Sequence, residues 1–242
     1  MTTDFNIEIA GENALIIYFE PSSNQQLISE KIQLAQVLIS EKLNTEVIDL
    51  IPAYSSILIV FNMVIVDHHQ LTSRLQSLLA NISNMPNRLG DLKNKIKKNI
   101  VNLPIYYSLE SGPDLAKVAN QANLTIEQVI QLHQSQPYQV FTVGFAPGFA
   151  YLGNVNERIA TPRLNTPRHK VPKGSVGIAD NQTAVYPNDS PGGWNIIGLC
   201  PTKMFTLNEN PAMPIQVGDT VKFYRISRSE FLALGGILGA VS

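Results

Sequence analysis

The apolar and polar positions of the first 82 residues predict the order ββαββα. Short runs rich in Ile, Val and Phe are typical of strands, and apolar residues that recur every three or four positions are typical of helices. The predicted strands span residues 6–10, 14–19, 47–51 and 57–61. The predicted helices carry the apolar stripes Ile28, Ile32, Ala35, Ile39 and Leu71, Leu75, Leu78, Ile82. We expect Ser22 or Ser23 to cap the first helix. The order of strands and helices predicts a small α+β domain.

A polar segment rich in Pro, Gly, Asn and Lys interrupts this pattern at residues 83–98 and predicts a domain boundary. Beyond it, a strand at 100–107 opens a second region in which short strands and loops dominate after residue 138. The expected helix caps in that region are Asp114, Thr125 with Gln128, and Ser227 with Glu230. We predict an α+β N-terminal domain over 1–90, a lysine-rich linker over 91–98 and a mainly β domain over 99–242.

Composition and charge narrow the function classes. The 242 residues carry a formal net charge of −1 and have a pI near 6.4, so there is no general electrostatic case for nucleic acid or an anionic membrane. The most apolar run, residues 57–66, is about half as long as a membrane-crossing helix, and we expect a cytoplasmic protein. The lone Cys200 excludes an internal disulfide framework. None of the four histidines has a second ligand at metal spacing, so no metal site is expected.

Residues 141–200 hold eight of the 15 glycines and six of the 15 prolines, interleaved with aromatic and basic residues. Gly permits close approach, Pro fixes φ and aromatic residues supply buried area, so this composition favours rigid loops that shape a surface. Arg163 and Arg168 lie in a proline-punctuated stretch, where a fixed backbone would present their guanidinium groups to a carboxylate or phosphate. The alternative is a solvated loop with ordinary surface charges.

Further candidates come from the same segment and from one helix. The turn formed by Ser190, Gly192, Gly193 and Trp194 would aim backbone N–H groups at an oxyanion while the indole covers a ligand, or it is a glycine turn with a core tryptophan. Orienting hydrogen bonds are assigned to Tyr151, Gln182 and Tyr186. His133 is the candidate general base, and a structural histidine at a helix end is the favoured alternative.

The combination of motifs in this segment resembles the family of the bacterial 5-oxoprolinase B subunit, also called allophanate hydrolase subunit 1, which includes an inhibitor of a sporulation histidine kinase. The motifs are GFAPGFAYLG at 144–153, TPR at 161–163 and 166–168, VPKGSVGIA at 171–179, QTAVYP at 182–187 and SPGGWNIIG at 190–198. The chain departs from the family pattern at Lys173, where a small residue is usual, and at Asp180 and Ala184, where glycines are usual. Leu199 and Cys200 replace a pair that is commonly polar or basic.

The resemblance implies a cyclophilin-like β-barrel as the second domain, without prolyl isomerase activity. It also implies an ATP-dependent hydrolase that opens 5-oxo-L-proline to L-glutamate together with the C and A subunits, and that is inactive alone. ATP would be a co-substrate that phosphorylates the lactam oxygen, with Arg163 and Arg168 as anion clamps. Two alternatives stay open: a regulatory protein that binds and inhibits a histidine kinase, and a component of a biotin-dependent carboxyltransferase or urea-metabolising enzyme.

Overall fold

The computed structural model describes residues 5–20, 25–80, 82 and 99–239. The chain divides into two units, Met1–Lys97 and Lys98–Ser242. The predicted cap at Ser22 or Ser23 and the predicted linker at 91–98 lie outside the described residues. None of the helices in the described part of the chain combines the length and apolar character that a membrane crossing needs.

The first unit is a four-stranded antiparallel sheet with two helices packed on one face. The chain order ββαββα matches the prediction, and the strand order in the sheet is β1-β2-β4-β3. Alternate strand residues such as Ile17 and Ile59 are fully buried with Ala35 and Leu71 of the two helices, which forms one core. The elements are β1 Phe5–Gly11, β2 Ala14–Phe19, α1 Gln25–Lys42, β3 Val47–Pro52, β4 Ser56–Phe61 and α2 His68–Leu79.

The second unit is a seven-stranded sheet in the order β12-β9-β10-β7-β6-β13-β5, with a two-stranded ribbon of β11 and β8. Its strands are β5 Ile100–Ile105, β6 Tyr138–Val143, β7 Ala150–Gly153, β8 Arg168–Val171, β9 Ser175–Ala179, β10 Gln182–Val185, β11 Ser190–Gly192, β12 Asn195–Leu199 and β13 Thr220–Arg225. Its helices are α3 Leu115–Ala122, α4 Ile126–Gln134 and α5 Arg228–Ala233. A short 3₁₀ turn spans Glu157–Ile159.

The sheet closes on itself into a barrel. Tyr106, which follows β5, exchanges two backbone hydrogen bonds with Leu199 of β12, at N–O distances of 2.8 and 3.0 Å. These bonds bridge the two ends of the sheet at one point, so the barrel is nearly closed. The predicted class, an α+β domain followed by a mainly β cyclophilin-like barrel, is confirmed.

Side chains fill the barrel interior, and two predicted caps hold the helices that pack against it. Thr125 and Gln128 form a reciprocal capping box at α4, and Ser227 and Glu230 form another at α5. A capping box satisfies two backbone donors that the first helical turn leaves open. Side chains along each strand point alternately into this filled interior and to an outer face. The outer face carries most of the candidate residues.

Candidate functional site

Aromatic side chains pack together on the outer face of the barrel, beside strands β7 and β10 and below the ribbon of β8 and β11. Phe149 is the centre of this cluster and is 2% exposed. Its ring meets Tyr151, Tyr186 and Trp194 edge-on, with centroid distances of 4.9, 5.4 and 5.7 Å. Edge-to-face packing at such distances is favourable, so the cluster forms a firm apolar floor.

Arg163 lies on this floor with its guanidinium over the indole of Trp194. The distance from Arg163 Cζ to the ring centroid is 5.7 Å, within the range of a cation–π interaction. The carbonyl of the preceding residue accepts a hydrogen bond from Asn195 Nδ2 at 2.9 Å, and the N–H of the following residue donates to Gly193 O at 2.7 Å. Arg163 is exposed and forms no salt bridge within the described residues. The two backbone bonds hold the loop on either side of Arg163, and its guanidinium faces solvent.

Arg168, the second predicted anion clamp, has a different environment. Its Nη2 donates to Asp114 Oδ1 at 2.8 Å, and the two side chains are only 20% and 8% exposed. The other oxygen of Asp114 accepts a hydrogen bond from the backbone of Ile196 at 2.7 Å. Asp114 does begin α3, but its side chain makes no cap bond because the carboxylate is already occupied. Asp114 thus connects the start of α3 to β12 and to Arg168 of β8, and this pairing argues against Arg168 as a free catalytic cation.

Tyr186 is a buried part of the cluster. Burial raises the pKa of its phenol to about 12, although a hydrogen bond from the Trp194 backbone and the charge of Arg163 oppose this rise, so the phenol is neutral at pH 7. A methyl group added at Gly192 would lie 2.4 Å from the Tyr186 hydroxyl oxygen. Glycine at 192 is therefore required by close packing against this ring.

The predicted oxyanion turn at Ser190, Gly192 and Gly193 is not a free turn in the structure. Ser190–Gly192 forms strand β11, which pairs with β8. The carbonyl of Gly193 holds the arginine loop, and Trp194 is only 5% exposed. Gly193 and Trp194 thus support the Arg163 loop, Gly192 packs against Tyr186, and Ser190 pairs with Val171 of β8.

Tyr151 and Gln182 are half-buried on the same outer face. Gln182 pairs across β7 with Gly153, which alternation places on the same face as Tyr151. Both side chains keep part of their surface in solvent, unlike the fully packed Phe149. Tyr151 also lies beside Trp194, at a centroid distance of 6.0 Å, which places its ring in the aromatic cluster.

His133 lies inside the barrel, where it has no exposed surface. Its Nδ1 is 2.8 Å from the Tyr107 hydroxyl and its Nε2 is 2.9 Å from Thr183 Oγ1, while its ring stacks on Phe223 at 4.8 Å. Burial lowers the pKa of His133 to about 3. Both ring nitrogens are engaged and shielded from substrate, so the predicted general-base role is wrong and the structural alternative holds.

Two residues beside these candidates were not predicted as site residues. Phe145 has a φ of 74°, although it is not glycine, and is 66% exposed. Its ring lies 5.3 Å from Phe149, edge-on. A bulky residue in the left-handed region costs free energy, and such strain is often found in functional loops. The sequence GFAPG does not predict this conformation at Phe145. Asp114 was predicted only as a helix cap. We name the outer-face site as Phe145, Tyr151, Arg163, Gln182, Tyr186 and Trp194.

Known proteins resemble this chain along most of its length. Residues 5–215 match the family model described as carboxyltransferase domain, subdomain C and D. A protein of Bacillus subtilis named as the B subunit of 5-oxoprolinase is 38% identical over 238 residues, which cover 96% of this chain and 98% of that protein. The protein of the same name in Haemophilus influenzae is 35% identical, with 90% of this chain and 96% of that protein covered.

The chain belongs to the 5-oxoprolinase B subunit family. A solved structure, that of TTHA0988, shares its fold with a TM-score of 0.71 at 27% identity over 88% of this chain. This chain spans 40% of that longer one. Asp180, where the resemblance leads us to expect glycine, has a φ of 52° in the turn between β9 and β10. Aspartate tolerates this conformation better than most residues, so the departure from glycine leaves the turn intact.

Metal ligands are not assembled in the parts of this family member that the structure describes. Within residues 5–20, 25–80, 82 and 99–239, no three His, Cys, Asp or Glu side chains are grouped so as to hold a metal ion. Burial raises the pKa of the Cys200 thiol to about 11. The thiol is therefore protonated at pH 7.

Proposed function

We propose that this chain is the B subunit of an ATP-dependent 5-oxoprolinase, which opens 5-oxo-L-proline to L-glutamate together with the C and A subunits in the cytoplasm. The names of the relatives that match along nearly the whole chain support the reaction and the presence of partner subunits. The observation that carries the proposal is Arg163, an exposed cation fixed over Trp194 without a salt-bridge partner in the described residues.

The chemistry of the substrate explains why such a site is needed. The lactam of 5-oxoproline is an unstrained and resonance-stabilised amide, so phosphorylation of its oxygen by ATP would create a leaving group before water attacks. Arg163 would bind the carboxylate of the substrate, whose ring would lie against the exposed Phe145. Tyr151 and Gln182 would orient the lactam by hydrogen bonds. Arg168 and Tyr186 would act indirectly, because their contacts keep β12 and the Trp194 backbone in place.

Reconstitution tests this function. The full chain is mixed with its candidate partners, the A and C subunits, and ATP-dependent release of glutamate from 5-oxo-L-proline is measured with and without it. We expect release to require all three chains and to be negligible for this chain alone. Release that is unchanged when this chain is left out would disprove the proposal. Inhibition of a purified histidine kinase's autophosphorylation, together with that result, would support the regulatory alternative instead.

A further inference from the structure

The start of α3 is joined closely to strand β12, which begins directly after Trp194 of the outer-face site. The backbone N–H of Asp114 donates to Ile196 O at 3.0 Å, and the backbone N–H of Ile196 donates to Asp114 Oδ2 at 2.7 Å. A methyl group added at Gly112 would lie 2.2 Å from the carbonyl carbon of Ile197, so the approach requires glycine. Side chains of the first turn of α3 are therefore within reach of β12.

Lys117 is one of these side chains. It lies three residues after Asp114, on the same side of the helix. Its Nζ donates a hydrogen bond of 2.8 Å to Asn195 Oδ1. The side chain is half-buried, and its ammonium group forms no salt bridge within the described residues. The charge of Lys117 is thus directed at a neutral amide oxygen rather than at a carboxylate.

Asn195 connects Lys117 to the loop that carries Arg163. The residue has no exposed surface, and its Nδ2 donates to Pro162 O at 2.9 Å and to Ile178 O at 3.2 Å. An amide nitrogen has two hydrogens to donate, and both are used in these bonds. Pro162 directly precedes Arg163, so the amide holds the backbone from which the arginine side chain extends.

The three bonds of Asn195 depend on one another. An ammonium group can only donate and a carbonyl can only accept, so the amide must turn its oxygen to Lys117 and its nitrogen to the two carbonyls. The positive charge at the oxygen also polarises the amide and strengthens the bonds that its nitrogen donates. Loss of the ammonium group would leave a buried oxygen without its donor, which is destabilising. The hold on Pro162 therefore weakens when Lys117 is replaced by an apolar residue.

We propose that Lys117 is a positioning residue of the outer-face site, which acts through Asn195 on the backbone before Arg163 and so keeps the guanidinium over Trp194. This geometric role stands on the hydrogen bonds of Asn195. Its consequence for binding of the substrate carboxylate at Arg163 rests on the proposed function. The position of Arg163 and the binding of substrate are therefore tested separately.

Nuclear magnetic resonance of the full chain tests the position of Arg163 without any partner subunit. Trp194 is the single tryptophan, so its indole N–H gives one signal, which reports on the cation over the ring. We expect Arg163→Ala to shift this signal. Lys117→Met, which keeps an unbranched side chain but not its charge, should shift it in the same direction. Lys222→Met, at an exposed lysine of β13, is the matched control and should leave the signal in place.

A double variant separates a change in the loop from a direct effect of the lysine charge on the indole. In the Arg163→Ala background, Lys117→Met should shift the signal much less than in the wild type, because the guanidinium through which it acts is absent. An unshifted signal in Lys117→Met would overturn the proposal. An equal shift in the two backgrounds would overturn it as well, because Lys117 would then affect the indole without Arg163.

The reconstituted enzyme tests the effect on substrate binding. We expect Lys117→Met to raise KM for 5-oxo-L-proline at least about fivefold and to leave kcat within about twofold, because the carboxylate is bound in the ground state and the transition state alike. A lowered kcat with an unchanged KM would contradict this positioning role. If the reconstituted chains release no glutamate, the proposed function fails, and the indole signal still decides whether Lys117 positions Arg163.

Discussion

The interior of the barrel and its outer face each place a basic side chain against aromatic rings, with opposite consequences. Inside, His133 stacks on Phe223 and both of its nitrogens face hydroxyl groups, so it stays neutral. Outside, Arg163 lies over Trp194 with its charge open to solvent. Arg168 lies between these extremes, because its side chain is mostly buried and its guanidinium is paired with Asp114.

The difference shows that access to solvent, rather than the presence of aromatic neighbours, decides which of these basic side chains keeps its bonding capacity free. A buried polar group must be hydrogen-bonded or its desolvation destabilises the fold, so its bonding capacity is used before a ligand arrives. An exposed and fixed cation keeps that capacity for a ligand. Substitutions at or beside His133, Arg168 and Arg163 should therefore have different effects on stability, pH dependence and activity.

The largest expected effect is on stability, at the ion pair. Asp114→Ala should lower the free energy of unfolding by about 3–4 kcal/mol, because it leaves Arg168 half-buried without its partner and the Ile196 N–H without an acceptor. Urea unfolding followed by the fluorescence of Trp194, the single tryptophan, measures it in the barrel unit. Asp189→Ala is the control, since its pair with Lys170 is exposed and should contribute less than about 1 kcal/mol. Equal losses in the two variants would contradict a structural role for Asp114.

The second largest effect is a pH dependence of the free energy of unfolding, which arises from His133 in the barrel interior. The unfolded chain binds a proton on His133 below its ordinary pKa of 6.5, whereas the folded barrel accepts one only near pH 3. The free energy of unfolding should therefore fall as the pH drops through this window, by about 3 kcal/mol from pH 7 to pH 4.

The same tryptophan signal, recorded at pH 7 and pH 4, checks this. His133→Gln removes the titrating group, so its free energy of unfolding should fall by correspondingly less between the two pH values. His169→Gln, a change at an exposed histidine of β8, should keep the loss of the wild type. If His133→Gln also keeps it, the histidine is not protonated on unfolding as the geometry requires.

The third effect is on activity and belongs to the outer face. Arg163→Ala should lower kcat/KM of the reconstituted enzyme roughly 100-fold, about 2.7 kcal/mol, because a fixed anion contact is lost. Stability should change by less than about 0.5 kcal/mol, since the side chain is exposed. The kcat/KM of Arg163→Lys should lie between those of the wild type and Arg163→Ala, because lysine keeps the charge without the planar guanidinium fork. Arg158→Ala, at another exposed arginine, is the control. If kcat/KM of Arg163→Ala equals that of Arg158→Ala, Arg163 does not contribute to the site.

Much of the fold was predictable because it depends on local signals. The apolar stripe at Leu71 and Leu75 and the capping box at Thr125 act over a few residues, and both appear in the structure where the sequence places them. The strand pattern in the first 61 residues is equally local. Patterns of this range are read directly from the chain, because helix and strand differ in their side-chain period.

The site was less predictable because its distances join residues far apart in sequence. Arg163 and Arg168 look alike in two TPR motifs, and only the approach of Asp114 separates a paired arginine from a free one. The role of His133 was decided by Thr183, a residue 50 positions away that no local motif connects to it. Side-chain bonding across such separations depends on which strands become neighbours.

The order of residues alone specifies the two-part organisation of the fold, its capped helices and the concentration of Gly, Pro, Arg and aromatic residues in one segment. Local propensity and periodicity are enough for these features. Which basic groups keep their charge for a ligand depends instead on the folded arrangement. The folded barrel unit buries His133, pairs Arg168 with Asp114 and places Arg163 over Trp194. Burial and pairing are properties of neighbours in space, and the order of residues along the chain does not contain them.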